Sequence, residues 1–125
     1  MALKISIISK DDRVVILCPI GSLDTETHLE LETRGAKELD KRPKGLILDL
    51  KSLDYISSMG ISALLKLQKQ ADVRGVSFVV TNIPPQIDEV FKIVKALPEE
   101  RIFSSMEEAD RYLLGIQKKI KENQQ

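Results

Sequence analysis

The sequence predicts a single α/β domain, a mixed and mostly parallel β-sheet opened by an antiparallel hairpin and packed with about four α-helices. Three observations predict it. Two apolar strands joined by a polar turn stand at the start. Short apolar runs then alternate with stretches of helical periodicity, the pattern of a mainly parallel sheet. The chain's 125 residues, 42% hydrophobic and 30% charged, have the size and composition of one soluble domain able to bury a core.

Leu3 to Ser9 alternates, with Leu3, Ile5 and Ile7 on one face, and reads as a half-buried strand. Lys10-Asp11-Asp12-Arg13 is a polar turn, and Val14 to Ile20 forms the second strand of the hairpin. Gly21-Ser22-Leu23-Asp24 is expected to break that strand. A helix follows over about Thr25 to Lys41, with Leu29, Thr33, Ala36 and Leu39 on one face, Asp24 as N-cap and Pro43 as the stop. Gly45 to Leu50 is a continuous apolar run, expected to be a strand covered on both faces. Lys51 to Ile56 leads to Ser57-Ser58-Met59-Gly60, which opens a second helix running to about Arg74. Gly60, Leu64, Leu67 and Ala71 form its stripe, Ile61 and Leu65 lie beside it, and Gly75 ends it.

Val76 to Thr81 reads as another buried strand. Pro84 and Pro85 suit the first turn of a third helix, in which Ile87, Val90, Phe91 and Val94 share a face. Arg101-Ile102-Phe103 is expected to be a short last strand. Ser105 and Glu108 then have capping-box spacing before a final helix whose face is Met106, Ala109, Leu113, Ile116 and Ile120. The domain is expected to span 1–117, with 118–125 a polar tail that frays into solvent.

Lysine plus arginine equal aspartate plus glutamate at 19 each, which gives no ground for a nucleic-acid or acidic-membrane partner. The one cysteine, Cys18, lies in the run Val14 to Cys18, reads as a buried small hydrophobe and fits a reducing cytoplasm. One His and one Cys make neither a zinc site nor a nucleophile pair, so no metal or cofactor is expected. No apolar leader opens the chain and no run approaches a bilayer span. His28, one turn past Asp24, could serve as a base, but a lone histidine on a helix surface reads as solvated. Catalysis is not expected, since no nucleophile with a base, metal cluster or phosphate-cradling loop appears.

The hairpin, Gly21-Ser22-Leu23-Asp24, Leu46-Ile47-Leu48-Asp49-Leu50 and Leu53-Asp54-Tyr55-Ile56-Ser57-Ser58-Met59-Gly60-Ile61 occur in an order that resembles a STAS domain. Arg74-Gly75-Val76 and Phe103-Ser104-Ser105-Met106-Glu107-Glu108-Ala109 match as well, so the resemblance covers the chain to about residue 115. It is to the anti-sigma factor antagonists of that family in particular. Such a resemblance implies a protein that, unphosphorylated, binds an anti-sigma factor, often itself a serine kinase. Serine phosphorylation at the start of the second helix ends the binding, and a serine phosphatase is a further implied partner. The family pattern puts this serine two positions before the glycine. It falls on Ser58, with Ser57 as second choice, and Asp24, Asp54, Ser57, Met59, Gly60 and Ser62 as the implied partner-binding surface. A monomer or weak homodimer is implied, and the same fold as a scaffold subunit of a larger signalling complex is the alternative.

The position is physically reasonable on its own. A helix N-terminus leaves about four N–H donors unpaired and carries roughly half a positive charge, so the fold can tolerate a phosphate there. Ser-Ser before a helix is also ordinary capping chemistry, Asp24 is an N-cap, a regulatory acid or both, and Gly60 reads as a close-packing position. Ser57 stands where many antagonists have Asp, and Met59, where smaller residues are usual, reads as core filling or as an anchor at a partner interface. A phosphoaccepting receiver domain is the rival α/β reading, with Asp11-Asp12, Asp54 and Thr81 as its parts. It fails because Asp11-Asp12 lies within the hairpin and no lysine ends the last strand.

Overall fold

The computed structural model describes residues 3–10, 13–96 and 118–123. The order is β1 (Leu3–Lys10), β2 (Val14–Leu23), α1 (His28–Asp40), β3 (Gly45–Asp49), β4 (Leu53–Ile56), α2 (Ser58–Val73), β5 (Ser77–Thr81) and α3 (Pro85–Ala96). β1 and β2 pair antiparallel from Leu3↔Gly21 to Lys10↔Val14. β3 joins β2 in parallel, β5 joins β3 in parallel, and the sheet reads β1-β2-β3-β5. The mixed, mostly parallel sheet opened by a hairpin is therefore present. The expected strand over Arg101–Phe103, the Ser105/Glu108 box and the final-helix positions Met106, Ala109, Leu113 and Ile116 lie outside the described residues, as do Asp11 and Asp12. Residues 118–123, expected to fray, are helical.

β2 does not break at Gly21. It continues to Leu23 and changes partner, leaving β3 and pairing in parallel with β4, a strand where the sequence predicts only a connection. Gly21 pairs with Leu53 but Ser22 with Tyr55, so Asp54 is an unmatched residue in β4. Gly21 takes the strain on its side, with φ at 115°, a conformation open to glycine alone at little cost. The four residues Leu53-Asp54-Tyr55-Ile56 are too short a signal to read as a strand.

From β2 to β3 to β5 the sheet grows in one direction. Right-handed crossovers then place α1 and α2 on the same face. That face holds the core: Leu17, Leu46, Leu48, Leu31, Leu39, Leu67 and Ala71 are fully buried, joined by Ile87 and Val90 of α3. On the opposite face the cover expected for β3 and β5 is incomplete among the described residues. Ile8, Ile16, Ile47 and Val79 lie in register across four strands there, with Ile8 and Val79 exposed.

α1 begins at His28, not at Thr25; of the predicted face Leu39 is buried, but the rest of the buried side differs. Leu29 is 62% exposed and Thr33 is exposed, while His28, Leu31, Gly35, Glu38 and Leu39 are buried. Gly35 is the reason: a Cβ there would stand 2.5 Å from Leu67 Cδ2, so the helix turns its smallest residue to α2. His28, read as solvated, is buried against Glu32, its Nδ1 2.7 Å from Glu32 Oε2.

Candidate functional site

The parallel strands β2, β4 and β5 all end at one edge of the sheet, where the chain turns into α1, α2 and α3. Such an edge is where α/β folds present binding groups. At its centre is the start of α2. Ser57 is extended (ψ 176°) and is the N-cap: its Oγ accepts from the Gly60 N–H at 3.2 Å, and its carbonyl accepts from Ile61 N–H at 3.0 Å. The side chain is 2% exposed. Ser58 is thus the first helical residue and is half-buried, as are Met59 and Ser62.

Gly60 ties this helix start to β2. A Cβ on it would lie 2.5 Å from the Leu23 carbonyl oxygen and 2.8 Å from Ile56 Cγ1. The same Leu23 carbonyl accepts from Ser57 N–H at 2.9 Å. Close packing and hydrogen bonding therefore fix the Ser57-Ser58 turn directly beside the end of β2, and Asp24 is the next residue of that strand's exit.

Asp24 is not the N-cap of α1; Thr27 holds that position and makes no side-chain cap bond. The Asp24 carboxylate instead closes the preceding turn, its Oδ1 accepting from Glu26 N–H at 3.0 Å and Thr27 N–H at 3.1 Å. Thr27 Oγ1 accepts from Asp24 N–H at 2.9 Å and donates to the Ser22 carbonyl at 2.7 Å. The physical reason for the shift is this reciprocal Asp24–Thr27 arrangement, which completes a turn before the helix can start. Sequence reasoning missed Thr27; the only signal was its three-residue spacing from Asp24.

Asp54, at the β4 irregularity, is exposed, with Lys121 Nζ 3.6 Å from its Oδ1. Further along the edge, Asp49 at the end of β3 accepts from Asn82 Nδ2 and from Lys51 N–H, both at 3.1 Å. Burial pushes the Asp49 carboxyl up, but these bonds and the Lys51 charge outweigh it and hold the group below its ordinary range. The structure thus gathers Asp24, Ser57, Ser58, Met59, Gly60 and Ser62 around two adjoining loops, with Asp54 on the strand leading into the second. Among the described residues no cluster of His, Cys, Asp or Glu could hold a metal ion, and no helix is long and apolar enough to cross a membrane.

A family model for the STAS domain matches residues 7–109. The chain is similar to BtrV of Bordetella bronchiseptica, described as a candidate anti-sigma factor antagonist, at 36% identity over 85 residues, 67% of this chain and 72% of that one. Among solved structures it is similar to the anti-sigma factor antagonist SpoIIAA in its unphosphorylated form, with a TM-score of 0.61 at 15% identity over 90% of this chain and 99% of that one. The phosphorylated form of SpoIIAA, a Bacillus cell fate determinant, gives a TM-score of 0.61 at 14% identity over 73% of this chain and 83% of that one.

Proposed function

The chain belongs to the STAS family, and from that premise we propose that it is an anti-sigma factor antagonist switched off by phosphorylation of Ser58. In this reading the unphosphorylated protein binds an anti-sigma factor that is also a serine kinase; Asp24, Asp54, Met59 and Ser62 form its contact surface, and the buried Ser57 and Gly60 seat that rim from beneath. A serine phosphatase restores the binding form. The protein acts by binding and not as an enzyme.

The observation that carries the choice of residue is the division of labour between the two serines. Ser57 is buried and its hydroxyl caps the helix, whereas Ser58 occupies the first helical position and is half-buried. A phosphate on Ser58 lies within reach of the N–H groups that begin α2, and charge-assisted bonds to them offset its cost to the fold. Its roughly −1.5 to −2 charge is added beside Asp24 and Asp54, so the rim becomes strongly acidic. A partner with acidic groups at its contact surface is then repelled without any rearrangement of the antagonist.

The test is incubation with the cognate kinase and ATP, followed by mass spectrometry of the wild-type chain, Ser57→Ala and Ser58→Ala. One phosphate on wild-type and Ser57→Ala, and none on Ser58→Ala, is the expected pattern. Full phosphorylation of Ser58→Ala would overturn the assignment.

A further inference from the structure

Among the described residues, the most exposed large apolar side chain is Val73, 79% exposed in the last turn of α2. Lys66, Lys69, Gln70 and Val73 stand at i, i+3, i+4 and i+7, on one face of that helix. Together with Arg74 they line a concavity of about 270 Å³. Its charges differ in how they are matched. Lys66 Nζ lies 3.3 Å from Glu32 and Arg74 Nη2 lies 2.9 Å from Asp40. Lys69 has no ion pair among the described residues, and Asp72, the one acid in this half of α2, is outside the lining. Gln70 contributes a buried side-chain oxygen that receives no hydrogen bond from the described residues.

We propose that this face of α2 is a docking surface for an acidic protein segment, in which a carboxylate is adjacent to an apolar side chain. The two open parts of the concavity, Lys69 and Val73, each have a counterpart in such a segment. The carboxylate pairs with Lys69 and the apolar side chain covers Val73, while Gln70 Oε1, being buried, stays out of the contact. One unmatched cation beside an apolar wall suits a peptide carboxylate rather than a polyanion such as nucleic acid, which would require a row of free cations. The surface is separate from the Ser58 rim: fifteen residues at a rise of ~1.5 Å put Val73 about 22 Å along the helix from Ser58. It stands whether or not Ser58 is phosphorylated.

The test uses the full chain and a fluorescein-labelled peptide with a central leucine flanked by glutamates, read by fluorescence anisotropy at low salt. The same peptide with lysines in place of the glutamates is the control. Saturable binding of the acidic peptide alone is expected. Lys69→Glu and Val73→Ser should each weaken it by at least about tenfold, because each removes one of the few contacts the concavity offers. Both side chains are exposed, and circular dichroism checks that both variants stay folded. Ser58→Asp should leave the affinity unchanged. Absence of saturable binding, or affinity unaltered in both Lys69→Glu and Val73→Ser, would overturn the proposal. Loss of binding in Ser58→Asp would move the peptide to the other end of α2 and overturn it equally.

Discussion

At Gly60, the absence of one methyl group allows α2 to start where it does. The atoms a Cβ would meet are a backbone oxygen and a core isoleucine, and the oxygen is already the acceptor for Ser57 N–H. The oxygen cannot move without breaking the bond that seats the Ser57-Ser58 turn. Gly60→Ala should therefore cost about 2 kcal/mol or more in urea unfolding, at or above the middle of the overpacking range, despite alanine's better helix propensity. A gain in stability would show that α2 can slide away from Leu23. Ser57, Ser58 and Gly60 were legible in the sequence because capping and close packing at a helix start are local chemistry. Thr27 was not, because its hydroxyl acts only once Ser22 and Asp24 are folded around it.

On the scale of elements, α1 shows what periodicity misses. Counting apolar residues selects Leu29, yet the helix buries Gly35 and two polar residues, His28 and Glu38, and leaves Leu29 in solvent. The buried side is set by contact with Leu67 across the helix pair, which no single-helix pattern contains. β4 was missed for a related reason: four residues have meaning as a strand only beside the far end of β2. The polar residues of α1 have their own consequence. Burial pushes the Glu32 carboxyl up, but hydrogen bonds and charge from His28 and Lys66 outweigh it and hold it below its ordinary value of 4.5. A carboxyl depressed in the folded chain contributes stability that is complete above its unfolded value and is lost as pH falls through its folded one. The stability difference between the wild-type chain and Glu32→Gln should thus shrink as pH drops below about 4.5. Urea titrations across that range check it; a difference that grew on acidification would contradict the linkage.

For the whole molecule, the sheet separates the core from the proposed site. One face carries α1, α2 and the core, and one edge collects the ends of β2, β4 and β5. The apolar runs of β3 and β5 read as strands covered on both sides, but among the described residues the in-register row of Ile8, Ile16, Ile47 and Val79 on the opposite face has its ends, Ile8 and Val79, exposed. β-branched residues suit a strand whether or not its second face is covered, so composition alone did not distinguish the cases. The hairpin and the mostly parallel character of the sheet were legible because they follow from alternation, a short polar turn and strands that alternate with helices. With Ser58 on a rim fixed from beneath by Gly60 and Leu23, the proposed switch changes surface charge while leaving the fold in place. The most direct measurement is calorimetric titration of the cognate anti-sigma factor with the unphosphorylated chain and with the chain phosphorylated on Ser58, alongside thermal unfolding of both forms. The account predicts an affinity at least about a hundredfold lower after phosphorylation, roughly 2.8 kcal/mol, with little change in unfolding temperature. Equal affinities, or weakened binding accompanied by unfolding of the phosphorylated chain, would contradict it.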